Sequence, residues 1–367
     1  MKQRLRLSLA AWRRLRVKLD PQRMASSRRI RLQYSVAGLV NSLQAKLQNL
    51  SHAETLQNIQ VPAPIFLLGF WRSGTTFLHE LFCCDARFGF PSTYACLNPA
   101  YFLLSERWVH ERARQEQSQR PMDNMLYSWI SPQEDEFALL CLGAPSPYEA
   151  LLAPSLMRDP RWLVDLRARP RADQDRWQQT LQLFLQLLTV QQGKPMLLKS
   201  PPHGFRMPLL PALFPQARFV IIERNPYEVF ASNLKLWRTL LDRYSLESWT
   251  PHEIEDFVLA VYLIHEEAIA EGVRLLQPDA LSRVRYEDLV ANPLGEMKRM
   301  YGELKLGNFE AARPGLEEHI AKVSDYSRNR FVLSAGQKAA VDERWGQLIR
   351  DKGYDWATAS LGLSQSA

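Results

Sequence analysis

The chain has 367 residues, 46% of them apolar, and 46 Lys and Arg against 39 Asp and Glu give it a formal net charge of +7. That is enough to bury a large core in a soluble, globular protein of one big domain or two modest ones. The longest apolar runs, such as 64–68 and 219–222, fall far short of the roughly 20 residues that cross a bilayer, which excludes a transmembrane helix.

The charge is concentrated at the start. Residues 1–31 carry eleven Lys or Arg against Asp20 alone, a local net of +10, which leaves the rest of the chain at −3. Arg13, Arg14 and Arg16 interrupt any continuous apolar core of a secretory signal, so export is not indicated. Leu5, Leu9, Trp12, Leu15 and Leu19 recur at spacings of four and three, with arginines on the other faces. This predicts a basic amphipathic helix in a helical N-terminal extension over 1–50. Two readings stay open: residues 1–35 lie on an anionic membrane surface, on the cytoplasmic side, or the helix packs on its own domain with a solvated basic face. Nucleic acid is not an expected partner, because the basic segment is local and poor in aromatics.

After a turn-like stretch at 51–64 comes a short, continuously apolar strand at 65–68, as expected of a strand covered on both faces. The loop "GFWRSGTT" follows at 69–76. Its glycines have the separation of a nucleotide-triphosphate loop, G-x-x-x-x-G-K-[ST], but Thr75 stands at the lysine position and a cation has moved forward to Arg72. Phe77, Leu78, Leu81 and Phe82 then share one face of a helix beginning near Gly74. His79 lies off that face and reads as a surface or packing residue. Strand, glycine loop and helix N-terminus together make an anion site, because free N–H groups and the helix dipole converge there.

Residues 107–192 read as largely helical, most clearly at 177–190, and as a cover for one side of the site. Within them, Ser131-Pro132-Gln133-Glu134 has capping-box spacing, Asp135 suits the same helix N-terminus, and Glu136 shares a face with Gln133 and Leu140, pointing towards a cleft. Further strands are predicted at 195–198, 218–222 and 282–286, each leading into a helical stretch. The alternation predicts an α/β, P-loop-like three-layer fold with a central, mainly parallel sheet flanked by helices, in a single domain over 51–367. Ligands bind such sheets beyond the carboxyl ends of the strands. The four cysteines have no C-x-x-C spacing or histidine pairing, so they read as buried thiols of a reducing compartment.

Over about residues 62–332 the chain resembles the sulfotransferases that use 3′-phosphoadenosine-5′-phosphosulfate (PAPS). "GFWRSGTTF" resembles their 5′-phosphosulfate loop, "FVIIERNPYEVFAS" their 3′-phosphate strand and helix, "VRYEDLVANP" a further block, and "YSRNRF" a late basic segment. "SPQEDEFAL" with "LKSPPH" is similar to a bacterial branch of the superfamily. The resemblance implies that Arg72, Ser73, Gly74, Thr75 and Thr76 hold the 5′-phosphosulfate and that Arg224 and Ser232 hold the 3′-phosphate. Phe77 falls at the family's adenine-side aromatic, although it also fits the apolar helix face. Arg328 and Asn329 would be late nucleotide contacts.

Lys199, directly after a strand, matches the family's strand lysine and would stabilise the leaving group. No metal is expected. The base is open, since Pro201 stands where cytosolic relatives carry a histidine, and "FPSTYAC" lacks the glutamate of the tyrosyl-protein branch. Glu136 and His203 rank level as candidates, with Glu134 behind. The acceptor would be a hydroxyl, and the aromatic content of 90–190, with Tyr94, Tyr101, Phe102, Trp108, Tyr127 and Trp129, suits a lipid-like or aromatic alcohol while leaving a glycan open. A divergent P-loop kinase and a non-catalytic membrane-associated nucleotide-binding protein are the competing readings.

Overall fold

The computed structural model describes residues 4–25, 28–113, 118–119, 126–323, 331–359 and 361–363; Arg328 and Asn329 lie outside them, as do the side chains of Trp108 and Tyr127. At its centre is a parallel four-stranded sheet of β1 (Ile65–Leu68), β2 (Leu197–Leu198), β3 (Arg218–Glu223) and β4 (Leu281–Arg285), in the order β2-β1-β3-β4. Ile65 pairs with Leu197 on one side and Arg218 on the other, and Ile222 pairs with Val284.

The helices used below are α1 (Leu9–Arg16), α2 (Arg28–Ser51), α3 (Thr75–Cys83), α4 (Glu136–Leu142), α5 (Arg171–Gln192), α6 (Pro226–Tyr244), α7 (Pro251–Val273) and α8 (Pro293–Glu303). All of β1 is buried because both faces of the sheet are covered. Phe66 and Leu68 pack with Phe184, Leu185 and Leu188 of α5. Ile65 and Leu67 pack with Leu78, Leu81 and Phe82 of α3 and Met297 and Met300 of α8. Each such side chain contributes about 1.5–3 kcal/mol by leaving water. This is the three-layer α/β arrangement with a parallel sheet between helices. The edge strand β4 buries only Ser282 and Val284 and exposes Arg283 and Arg285, charges that discourage further strand pairing.

Two local expectations are corrected. The strand expected at 195–198 is shorter, with Met196 making an isolated bridge to Gly89 instead. The segment expected to be helical over 107–192 is so only in parts: between α4 and α5 it becomes short turns, at Pro147–Leu151, Pro154–Arg158, Pro160–Val164 and Leu166–Ala168. Proline opens the first three of these. A proline is tolerated in a first turn but cannot continue a helix, so each new one ends the element before it.

The N-terminal helix settles on the domain. Leu5, Trp12, Leu15 and Leu19 are buried in one cluster with Leu140, Tyr148, Phe230 and Trp237. Arg14 Nη2 donates to Gly143 O at 2.6 Å and Lys18 pairs with Glu149 at 2.9 Å. The apolar face of α1 is therefore occupied by protein. Among the described residues no helix is long and apolar enough to cross a membrane.

Candidate active site

The loop after β1 is built on two positions where only glycine fits. A Cβ on Gly69 would meet Ser73 Oγ at 2.5 Å and Ile222 O at 2.8 Å, and one on Gly74, whose φ is 100°, would lie 2.2 Å from the Tyr286 ring. Arg72 itself has a φ of 70°. For a residue with a Cβ this left-handed backbone costs on the order of 1 kcal/mol, and such strain concentrates where a chain grips a ligand. Gly74 is the N-cap of α3 and offers no side chain to its first-turn N–H groups. Ser73 Oγ is buried without a hydrogen-bond partner. Thr75 is buried, while Thr76 and Phe77 are half-buried, Phe77 lying against the core cluster under α3.

The structure brings the three distant anion-binding candidates together. Arg72 Nε donates to Ser232 Oγ at 2.8 Å, and Arg224 Nη1 approaches Arg72 O at 3.4 Å. Arg224 is held by Glu228, its Nε donating to Oε2 at 2.9 Å, and its guanidinium lies over the Tyr286 ring at 4.4 Å. Arg224 follows β3 and Ser232 sits in α6, so this cationic group stands at the carboxyl ends of β1 and β3, beside the uncapped start of α3. Two guanidinium forks, hydroxyls and free helix N–H groups form a set suited to phosphate-like anions.

Next to it is a second cluster. Lys199 follows β2 and is 2% exposed; its Nζ donates to Glu134 Oε1 at 3.0 Å. Glu134 Oε2 accepts from Tyr148 OH, and Tyr148 OH accepts from Trp71 Nε1 at 3.0 Å. Trp71 O in turn accepts from Asn233 Nδ2 at 2.8 Å. Since Trp71 precedes Arg72 and Asn233 follows Ser232, the two clusters form one connected unit. Burial, and after it the Glu134 charge, pushes the Tyr148 phenol well above its ordinary pKa, so Tyr148 acts as a donor.

The three base candidates separate sharply. Glu136 is fully buried, with its two oxygens taken by Arg206, Nη1 to Oε2 at 2.5 Å and Nη2 to Oε1 at 2.7 Å. The expectation that it points into the cleft is corrected: α4 starts at Glu136 rather than upstream, so Glu136 and Gln133 do not share a helical face. His203 is also fully buried, its Nε2 2.6 Å from Asp135 Oδ2. It lies within the short helical turn Pro202–Phe205. Burial raises the proton affinity of Asp135, but the His203 charge and hydrogen bonds from His203 and Ser200 outweigh it and hold Asp135 below its usual range. Both Glu136 and His203 are thus buried and paired inside the protein.

Glu134 keeps 14% of its side chain exposed. The capping box expected of it does not form, because Ser131 Oγ accepts from Ser128 N and the helix begins five residues later.

His79 is buried rather than on the surface. Burial, and after it the charge of Lys199, pushes it down to about 3, so it is neutral at physiological pH. Tyr148, Trp71 and Arg206 are parts of the assembly that sequence reading missed. Only Trp71, inside the loop itself, carried a local signal.

Residues 64–310 match the profile described as the sulfotransferase family. Two proteins named omega-hydroxy-beta-dihydromenaquinone-9 sulfotransferase Stf3, from Mycobacterium bovis and Mycobacterium tuberculosis, are each 36% identical over 325 residues, which is 88% of this chain and 83% of theirs. Among solved structures, sulfotransferase STF9 from Mycobacterium avium superposes with a TM-score of 0.72 at 19% identity, over 94% of this chain and 92% of that one. Sulfotransferase STF1 from Mycobacterium tuberculosis gives 0.65 at 20% identity, over 92% and 93%.

Proposed function

This chain belongs to the sulfotransferase family, and we propose that it moves a sulfuryl group from PAPS to the hydroxyl of a lipid-like alcohol. The observation that carries the donor assignment is the meeting of Arg72, Arg224 and Ser232 beside the uncapped N-terminus of α3. A donor with phosphate groups at both ends of an adenosine needs two anion sites on one nucleotide. Arg72, the orphaned Ser73 hydroxyl and the backbone of 73–76 suit the 5′ end, with Thr75, Thr76 and Phe77 following on α3. Arg224 and Ser232 suit the 3′ end.

When bound, PAPS supplies the sulfuryl group. An acceptor oxygen loses its proton as its bond to sulfur forms, and negative charge grows on the oxygen that leaves with the nucleotide. Glu134 is the carboxylate assigned to that proton, with Tyr148 fixing the orientation of its second oxygen. Lys199 provides the buried cation for the leaving oxygen. At rest the two neutralise each other at 3.0 Å, and in the reaction they divide between acceptor and donor. Glu136 and His203 serve this site through position alone.

For the acceptor, we draw on the mycobacterial relatives named for an omega-hydroxy-dihydromenaquinone: the substrate assigned to this chain is a terminal alcohol on a long isoprenoid or similar chain. A protein acting on such a molecule works at a membrane surface. Thermal stabilisation separates this reading from a kinase. Adenosine 3′,5′-bisphosphate should raise the melting temperature more than ATP with Mg²⁺ does, and the reverse order would reject the donor assignment.

A further inference from the structure

Helix α2 is amphipathic, but inside out. Its inward side is polar: Trp12 Nε1 donates to Ser35 Oγ at 2.9 Å, Leu9 N to Ser42 Oγ at 2.9 Å, and Asn41 Nδ2 to Leu7 O at 3.0 Å. Towards its C-terminus Gln48 Nε2 donates to Pro99 O and Leu103 N donates to Gln48 Oε1, both at 3.0 Å. Gly38 lets the helix lie against α1, since a Cβ there would come within 3.0 Å of Leu9 Cα. These bonds along the helix fix which side faces in.

The outward side is apolar. Leu32, Val36, Leu39, Val40, Leu43, Leu47 and Leu50 are each between 48% and 65% exposed, and they are seven of the twelve exposed large apolar side chains among the described residues. At about 100° per residue they fall within a ~100° arc, opposite Tyr34, Asn41 and Gln48. A helix at a globular surface normally turns such a stripe inwards. Here the polar bonds oppose that rotation, so the stripe is held out for another medium.

We propose that the outer face of α2 docks the protein on an anionic lipid bilayer. Charge selects this occupant. The helix carries Arg28, Arg29, Arg31 and Lys46 and no acid, and no Asp or Glu occurs anywhere in residues 21–53. A second copy of α2 laid alongside would find no carboxylate to pair with these cations, whereas anionic headgroups supply the countercharge. At 24 residues the helix is about 36 Å long and is not apolar enough to span, so it lies in the plane of the interface with leucines among the acyl chains and Arg28 and Lys46 on the rim. This docking face is independent of the catalytic reading and differs from the buried apolar face of α1.

The test is flotation of the full-length protein with phosphatidylcholine vesicles, with and without phosphatidylglycerol. Wild type should float with the phosphatidylglycerol vesicles and bind more weakly at high salt, where only the apolar contribution remains. L39E/L43E should weaken partition about tenfold or more, because two leucines lose their burial, while adenosine 3′,5′-bisphosphate still stabilises the variant to the same degree. R28S/R29S should lose the preference for anionic vesicles and keep residual apolar binding. Wild type that stays at the bottom of the gradient overturns the proposal. So does flotation that L39E/L43E leaves unchanged, or light scattering that finds a dimer which L39E/L43E dissociates while wild type ignores vesicles.

Discussion

Replacing Glu134 and Glu136 separately by glutamine separates chemistry from architecture, because each acid is paired with a buried cation but only Glu134 keeps part of its side chain exposed. In Glu134→Gln the amide keeps an oxygen for Lys199 Nζ, now 3.0 Å from Glu134 Oε1, but cannot accept a proton from an acceptor. Loss of a positioned general base costs about 10²–10⁴-fold in kcat. Donor affinity should change little, since the carboxylate is outside the Arg72, Arg224 and Ser232 group.

In Glu136→Gln the outcome inverts. Arg206 is fully buried and its countercharge is Glu136, so the substitution strands a guanidinium out of water, which costs about 3–5 kcal/mol of stability. The folded fraction should turn over at nearly the wild-type rate. The assays are transfer of labelled sulfate from PAPS and urea unfolding of the same preparations. Near wild-type kcat in Glu134→Gln would refute the base assignment. So would a Glu136→Gln protein that is as stable as wild type yet inactive.

Arg224→Ala should weaken adenosine 3′,5′-bisphosphate binding by about 10- to 100-fold, the worth of hydrogen bonds to a charged group, and calorimetric titration reads it; unchanged affinity would remove Arg224 from the nucleotide site. Gly74→Ala forces a side chain into a φ of 100° and against Tyr286, so donor affinity should fall with a stability loss on the order of 1–3 kcal/mol; a stable variant with normal affinity would disprove the loop's dependence on that backbone. His79 titrates near 6.5 when unfolded and is held down to about 3 when folded, so below pH 6.5 the unfolded chain binds the extra proton and stability falls with pH, by about 2 kcal/mol at pH 5. Urea midpoints measured across that interval should drop less in His79→Gln; equal slopes in the two proteins would mean that His79 is not the buried neutral group.

The meeting of Arg72, Arg224 and Ser232 beside the glycine loop was legible in the sequence because its signals are local. A short apolar strand, two glycines at fixed separation and the Arg224–Ser232 spacing each report on a few consecutive residues, and the parallel sheet brings them together. Which acid is held inside and which stays partly exposed was not legible for the opposite reason. Whether a carboxylate is a reactant or a strut depends on what faces it, and the partners, Lys199 for Glu134 and Arg206 for Glu136, are 65 and 70 residues away. A face shared by Gln133 and Glu136 requires a helix starting near Pro132, and a start at Glu136 reverses which acid looks outwards. The prolines at 147, 154 and 160 were visible, but the apolar density around them masked what they break.

The N-terminal region carries this argument to its limit. Periodicity reports that a helix has two unlike faces, while the neighbours decide which face is covered. In α1 Trp12 and Leu15 meet a core that the rest of the chain provides, and the arginines are left to solvent or to backbone carbonyls such as Gly143 O. In α2 the covered side is the one with Ser35, Asn41, Ser42 and Gln48, because unpaired backbone groups of residues 7, 9, 99 and 103 need partners that leucine cannot supply. A buried polar group left unbonded costs about 1–3 kcal/mol, comparable with burying one leucine. Several such bonds along one helix therefore suffice to hold the apolar face outwards.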